Sequence, residues 1–261
     1  SPSIPATIGR RLQIAENDLN PTLNAGAEYF FEAQYVHPQD AANGNGNNNA
    51  SYRKFTVGSF SSGTYTLSLT GPTVQQIPAI FAWKSVHPDV LIEPVDVPSD
   101  GRFHVGFRAI DIGDGLWRYE YAVHNLNSDR SGASCSIPIP AGVSVTDVGF
   151  KDINYHSNEP YDPTDWVSTL AGGTLTWAST QTFAQNPNAN ALRWATLYNF
   201  WFISDSAPAP ANAQIGLFKP GTPTSVSATV LGPSQPPFTL GDLNFDGVVN
   251  GADLAILLGA W

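Results

Sequence analysis

The residues best suited to chemistry lie at the end of the chain, in GDLNFDGVVNGADLAILLGAW, Gly241 to Trp261. Counted from Asp242, the loop has Asp242, Asn244 and Asp246 at positions 1, 3 and 5, Gly247 at 6 and Val248 at 7. Asn250 follows at 9 and Asp253 at 12. Oxygen donors at alternate positions, a glycine for a sharp turn and a backbone carbonyl at position 7 suit a hard cation that takes six to eight oxygens. The expected chemistry is binding of Ca2+, with side-chain oxygens from Asp242, Asn244, Asp246, Asn250 and Asp253 and the carbonyl of Val248.

The loop has to be held by a helix. Asn250 is placed to cap one, and Asp253 falls near its positive end. Leu254, Leu257, Leu258 and Trp261 then recur at i, i+3, i+4 and i+7, which makes one apolar face. The gain from burying four apolar side chains falls short of the ordering entropy of about twenty residues, and the carboxylates repel one another. The segment therefore needs both a cation and a surface against its apolar face. With Asp rather than Glu at position 12, it resembles half of a type I dockerin, an EF-hand-like calcium loop plus helix. That resemblance implies a secreted bacterial protein and raises a cohesin-like receptor as a partner. In a dockerin a second half covers the helix. Here the cover is expected to come from the body or from a neighbouring subunit.

Other chemistry is sparse. The five histidines, His37, His87, His104, His124 and His156, show no HxH or HExxH zinc spacing. There is no GxSxG elbow and no phosphate-cradling glycine loop, so no catalytic residue is assigned and an enzyme is not expected. The richest polar stretch runs from Lys151 to Trp166 and carries Asp152, His156, Glu159, Asp162 and Asp165. It reads as an acidic loop between strands, with a second metal site or a glycosidase carboxylate pair as the sharper alternative. Tyr155, Tyr161 and Trp166 form a sugar-stacking platform if exposed, and core if not. Cys135, the single cysteine, alternates with Ala133, Ile137 and Ile139 and reads as a buried hydrophobe rather than an intermolecular disulfide.

Composition narrows the class. Charged residues are only 13%, while 23 Gly and 21 Pro break the chain into short elements. The net charge of −10 argues against nucleic acid, whose phosphates need clustered Lys and Arg. No stretch approaches the roughly 18 apolar residues of a membrane span. The chain has no methionine, even at position 1, so an N-terminal portion, with a secretory signal, is expected to have been removed.

Two-residue alternation dominates and predicts about a dozen strands, hence an all-β, antiparallel sandwich or jelly-roll-like body over residues 1–231. Residues 1–9 read as an extended N-terminal segment, 232–240 as a proline-rich linker, and 241–261 as the calcium loop and helix. AEYFFEAQYVH (27–37) reads as a strand, followed by an Asn/Gly loop that holds one chance glycosylation triplet at Asn49. Two further strands form a hairpin around Ser59 to Gly63. One short helix is expected where Ile77, Ile80, Phe81 and Lys84 fall at helical spacing, with Pro88 ending it. In LWRYEYAVHN, Trp117, Tyr119, Tyr121 and Val123 share one face, and Arg118, Glu120, Ala122 and His124 share the other. LRWATLYNFWFI, apolar on both faces, reads as a central strand.

Segments of the body, among them GLWRYEYAVHNLNSDRSGASCSIPIPAG and NPNANALRWATLYNFWF, resemble large secreted β-proteins of unassigned function from aquatic environmental bacteria. The resemblance implies secretion and a β fold and brings no catalytic residues. Taken together, these features predict a secreted, extracellular or cell-surface structural protein that self-associates as a homo-oligomer or polymer, with Ca2+ at its C-terminal loop. A polysaccharide- or cohesin-binding module and a glycan-directed hydrolase stay open as alternatives.

Overall fold

A computed structural model describes residues 13–154, 159–235, 241–244 and 248–259. The element order is α1 Glu16–Leu19, β1 Tyr29–Gln34, α2 Pro38–Ala42, β2 Ala50–Ser61, β3 Thr64–Val74, α3 Ile80–Val86, β4 Leu91–Val97, β5 Gly101–Gly113 and β6 Leu116–Asn125. The chain continues with β7 Gly132–Pro138, β8 Val145–Lys151, β9 Val167–Ala171, β10 Thr174–Ala178, β11 Thr196–Ser204, β12 Pro208–Leu217, β13 Ser225–Pro233 and α4 Gly251–Gly259. All strand pairings are antiparallel, so the expected all-β sandwich is what the chain forms.

Two five-stranded sheets make the sandwich, ordered β4-β5-β6-β11-β8 and β13-β12-β7-β10-β9. Alternation supplies the filling. Phe103, Val105 and Phe107 of β5, Tyr119, Tyr121 and Val123 of β6, and Tyr198, Phe200 and Phe202 of β11 point inward from the first sheet. Cys135 and Ile137, Leu175 and Trp177, Ile215, and Val226 and Val230 meet them from the second. Tyrosines in such a core need partners for their hydroxyls. Tyr119 donates to Ser206 O at 2.7 Å, and Tyr121 donates to Leu231 O at 2.7 Å. The strand β11 is interior, between β6 and β8, in line with its two apolar faces.

A three-stranded sheet, β1-β2-β3, stands outside this core. Its hairpin turns at Ser62 and Gly63, both at positive φ, where Gly63 carries no steric penalty. Phe30 of β1 packs edge-on against Tyr52 of β2, and Tyr29 of β1 packs on Phe55. The helix α3 lies on the outer face of the first sandwich sheet. Trp83 and Ile80 rest on Gly106, where a Cβ would approach them to 3.1 and 3.3 Å.

Some elements differ from expectation. Helix α3 starts at Ile80, with Pro78 and Ala79 forming the turn before it, and ends with His87 donating its amide to Trp83 O. Two further single-turn helices, α1 and α2, join it in the body, because Asn20, Asn43 and neighbouring Asn and His side chains satisfy local backbone groups. The body also runs past residue 231. Pro233 ends β13, Ser234 donates its amide to Ala207 O at 2.8 Å, and Gln235 reaches Ala141 O. Among the described residues no helix is long and apolar enough to cross a membrane.

Candidate calcium site and neighbouring cavities

Asn250 sets the local geometry of the C-terminal loop. Its Oδ1 accepts the amide of Ala252 at 2.7 Å and caps α4. Asp253, in the first turn, then reaches back across the loop. One carboxylate oxygen accepts the amides of Leu243 at 2.7 Å and Asn244 at 3.2 Å, and the other accepts the amide of Asn250 at 2.8 Å. These amides, Asn250 first, hold the Asp253 carboxyl below the usual carboxylate range. Asp242 and Asp253 are both only 2% exposed although they sit in a short appendage.

The donor set fits calcium in kind, being made of carboxylate, amide and carbonyl oxygens without sulfur or imidazole. Positions 1, 3, 7, 9 and 12 of the expected set, Asp242, Asn244, Val248, Asn250 and Asp253, lie within the described residues. Asp246, at position 5, lies outside them. Three backbone amides already occupy Asp253, which leaves it about one of a carboxylate's four lone-pair sites, so it differs from a free bidentate ligand. Among the described residues no group of three or more His, Cys, Asp or Glu side chains gathers around one point. On α4, Leu254, Leu257 and Leu258 are 54%, 49% and 65% exposed, while Trp261 lies outside the described residues.

The second polar site is only partly brought together. Asp152 and Glu159 line one cavity of about 790 Å³, together with Tyr161, Arg193, Lys219 and Asp129. Asp162 and Asp165 are not among the residues lining it, and His156 lies outside the described residues. Asp152 is raised above the usual carboxylate range by burial, with Asp165 adding to the rise and a hydrogen bond from Asn190 opposing it. Asn190 in turn accepts from the Tyr198 hydroxyl at 2.6 Å. Asp162 is engaged by the amide and hydroxyl of Thr164 at 2.8 and 2.6 Å, which lowers its pKa.

Of the residues considered for a sugar-stacking platform, Tyr155 lies outside the described residues, and neither Tyr161 nor Trp166 offers a free ring face. Trp166 is 5% exposed, donates its indole N–H to Asn190 O at 2.9 Å and stacks on Phe150, so it belongs to the core. The ring of Tyr161 is covered by the Arg193 guanidinium at 4.2 Å. Cys135 is likewise a core residue, and burial pushes its thiol up to about 12, too high for thiolate chemistry at neutral pH and out of reach of a partner chain.

Sequence reasoning missed one cluster. A cavity of about 670 Å³ lies between β1, α3 and the outer faces of β6 and β11, with Phe30, Trp83, Leu197, Asn199, Glu32 and His124 among its walls. At its side Glu32 accepts the Ala79 amide at 2.6 Å and the Gln34 amide nitrogen at 2.8 Å, and its Oε1 lies 3.5 Å from His124 Nε2. Burial raises the pKa of Glu32, but His124 and these donors outweigh it and hold the carboxyl below the usual range. His104 lies beside His124 with ring centroids 6.3 Å apart.

No protein-family model matches the chain, and no curated protein matches it. Among solved structures, a crystal structure of the GH20 exo-β-N-acetylglucosaminidase from Vibrio harveyi in complex with N-acetylglucosamine is similar to 49% of this chain and 17% of that chain. The identity is 13% and the TM-score 0.28. A likeness this slight carries no argument about fold or function.

Proposed function

We propose that this chain is a secreted, extracellular structural or surface-assembly protein that self-associates, with Ca2+ at the C-terminal loop ordering the contact helix α4. The observation that carries this reading is the exposure of Leu254, Leu257 and Leu258 on one helix beside a loop of hard oxygen donors. Solvated leucines in a row cost apolar hydration that a second surface removes. Calcium would neutralise Asp242 and Asp253 and fix the first turn, so that the stripe is presented as one face. Asp246, Asn244, Asn250 and the Val248 carbonyl complete the proposed ligand set. Secretion into a calcium-rich medium accords with the acidic chain and with the dockerin-like loop.

Sedimentation velocity of the full chain in millimolar Ca2+ and in chelator tests the reading. The expected result is concentration-dependent association in calcium that declines in chelator. A monomer under both conditions at high concentration overturns it.

A second reading has its own observation. The 670 Å³ cavity combines aromatic walls, Phe30 and Trp83, with the polar groups Glu28, Gln34 and Asn199, a mixture suited to a saccharide. On this reading the chain is a glycan-binding module, and retention on insoluble polysaccharide is its test.

A further inference from the structure

Each sheet has two edges, and they are treated differently. An unprotected edge strand is a template for another chain, and proteins blunt such edges with charge, proline, shortness or cover. Strand β1 carries Glu32, β4 carries Glu93, Pro94 and Asp96, and β8 carries Asp147 and Lys151. Strand β13 packs against β4 and β5, and β9 has only five residues. Strand β3 is neither charged nor short, and its one proline, Pro72, guards only its far end. It runs for eleven residues, TYTLSLTGPTV, without a charge, and its proline comes only after Thr70. On one side it pairs with β2, and on the other no strand pairs with it among the described residues.

The order of side chains along β3 points to what pairs there. From Thr64 to Thr70 the strand reads T-Y-T-L-S-L-T, a chemical palindrome about Leu67. Leu67 and Leu69 are 52% and 56% exposed, and Thr64, Thr66 and Ser68 are exposed on the opposite face. Turned end for end, the strand sets hydroxyl beside hydroxyl and apolar beside apolar, and no charge meets a like charge.

We infer that a second copy of this chain pairs at the β3 edge, antiparallel and two-fold symmetric about Leu67, joining two three-stranded sheets into one of six. In that register Thr64 faces Thr70, Tyr65 faces Leu69, Thr66 faces Ser68, and Leu67 faces itself. Backbone groups along Thr64–Thr70 gain partners, and Phe60 of β2, packed on Tyr65 at 4.7 Å, continues the apolar face on the side away from the join. Such a contact is isologous and closes after two copies. Combined with a separate contact through α4, it builds a chain of dimers. The inference rests on the self-association proposed above and names one of its contacts.

Charge placement tests the register. The variant T66K/S68K sets lysine against lysine twice per contact, whereas T66K/S68E sets lysine against glutamate twice. Sedimentation equilibrium of the full chain in calcium is expected to show T66K/S68E associating like the wild type. T66K/S68K is expected to be at least tenfold weaker in the step that forms the pair. Circular dichroism and unfolding temperature of both variants should match the wild type, because the substituted side chains are exposed. If the wild type associates and T66K/S68K associates equally, the β3 contact is overturned while self-association stands. Equal impairment of both variants overturns the two-fold register, and a monomeric wild type overturns both readings.

A covalent trap adds an arm that does not depend on charge. L67C places each new thiol opposite its copy, so mild oxidation in calcium should give a dimer band. The wild type, whose Cys135 is buried, should give none. Absence of the L67C dimer under conditions where the chain associates overturns the assignment.

Discussion

Glu32 of β1 and His124 of β6 meet where the three-stranded sheet joins the sandwich, with Glu32 Oε1 3.5 Å from His124 Nε2. The same carboxylate takes the amide before α3 through Ala79. One side chain therefore ties β1, β6 and the start of α3 together. It does so on ionised oxygens, so the join depends on pH.

Stability near this join also depends on pH through His104, next to His124. Burial, aided by the charges of His124 and Arg102, lowers its pKa from 6.5 to about 4, with Glu32 and Asp96 opposing. The unfolded chain protonates this imidazole near pH 6.5, whereas the folded chain resists until about pH 4. Stability is thus full above 6.5 and falls as pH drops from 6.5 to about 4, by on the order of 3 kcal/mol. Glu32, with its lowered pKa, pulls in the same direction as it protonates. Urea midpoints measured across this window should fall, and His104→Asn should flatten the part due to the imidazole. A midpoint constant from pH 7 to 4 would contradict the assignment.

Asn125 ends β6 fully buried and makes three bonds. Its Nδ2 donates to Ser128 O at 2.9 Å and Leu192 O at 3.0 Å, and its Oδ1 accepts from Ser128 N at 2.8 Å. Asn125→Ala would strip the buried Ser128 amide of its acceptor and take one of two donors from each of the Ser128 and Leu192 carbonyls, at a cost of roughly 3 kcal/mol. For a domain of this size that lowers the unfolding temperature by roughly 6 to 12 °C, which calorimetry can read.

Much of this architecture was legible in the sequence, and the reasons differ by feature. Alternation in LWRYEYAVHN assigned Tyr119, Tyr121 and Val123 to the core, because strand side chains have only two directions. A hairpin centred on Asp114 places residue 104 opposite 124, so the His104–His124 neighbourhood was implicit in the turn. The meeting of Glu32 with His124 was not, since it depends on how a separate sheet docks. Whether Trp166 is core or exposed stayed open, because the irregular segment before β9 has no periodicity to read, and its burial depends on Asn190, distant in sequence, for a partner. The helix that carries Leu254, Leu257 and Leu258 could be read directly, because apolar residues at helical spacing need no tertiary information; Trp261, the fourth of the set, lies outside the described residues.

Gly149 on β8 is a second place where one atom decides packing. A Cβ there would lie 2.0 Å from Cε2 and Cζ2 of Trp201, which lies across it with Arg118 5.7 Å above the ring. Gly149→Ala must therefore displace the indole and loosen its contact with Arg118, costing roughly 1 to 3 kcal/mol. The expected signature is a red-shifted tryptophan emission together with a lower urea midpoint. An unchanged spectrum would show that β8 shifts instead of the ring.

Asp253 separates the calcium reading from a merely local fold. Its carboxylate gathers the amides of Leu243, Asn244 and Asn250, and in the proposed site it also gives an oxygen to the cation. Asp253→Asn keeps the shape but removes the charge and half of the acceptor capacity, so the loop loses both its closure and a ligand. Isothermal titration with Ca2+ should show at least a tenfold loss of affinity. Asn244→Ala, which takes away one neutral donor, should lose less. The same D253N chain should associate weakly in calcium, because its α4 starts from an unfixed first turn. If D253N bound calcium like the wild type, the aspartate would be serving as a helix-start brace alone, and the cation, if bound, would sit on other oxygens of the loop.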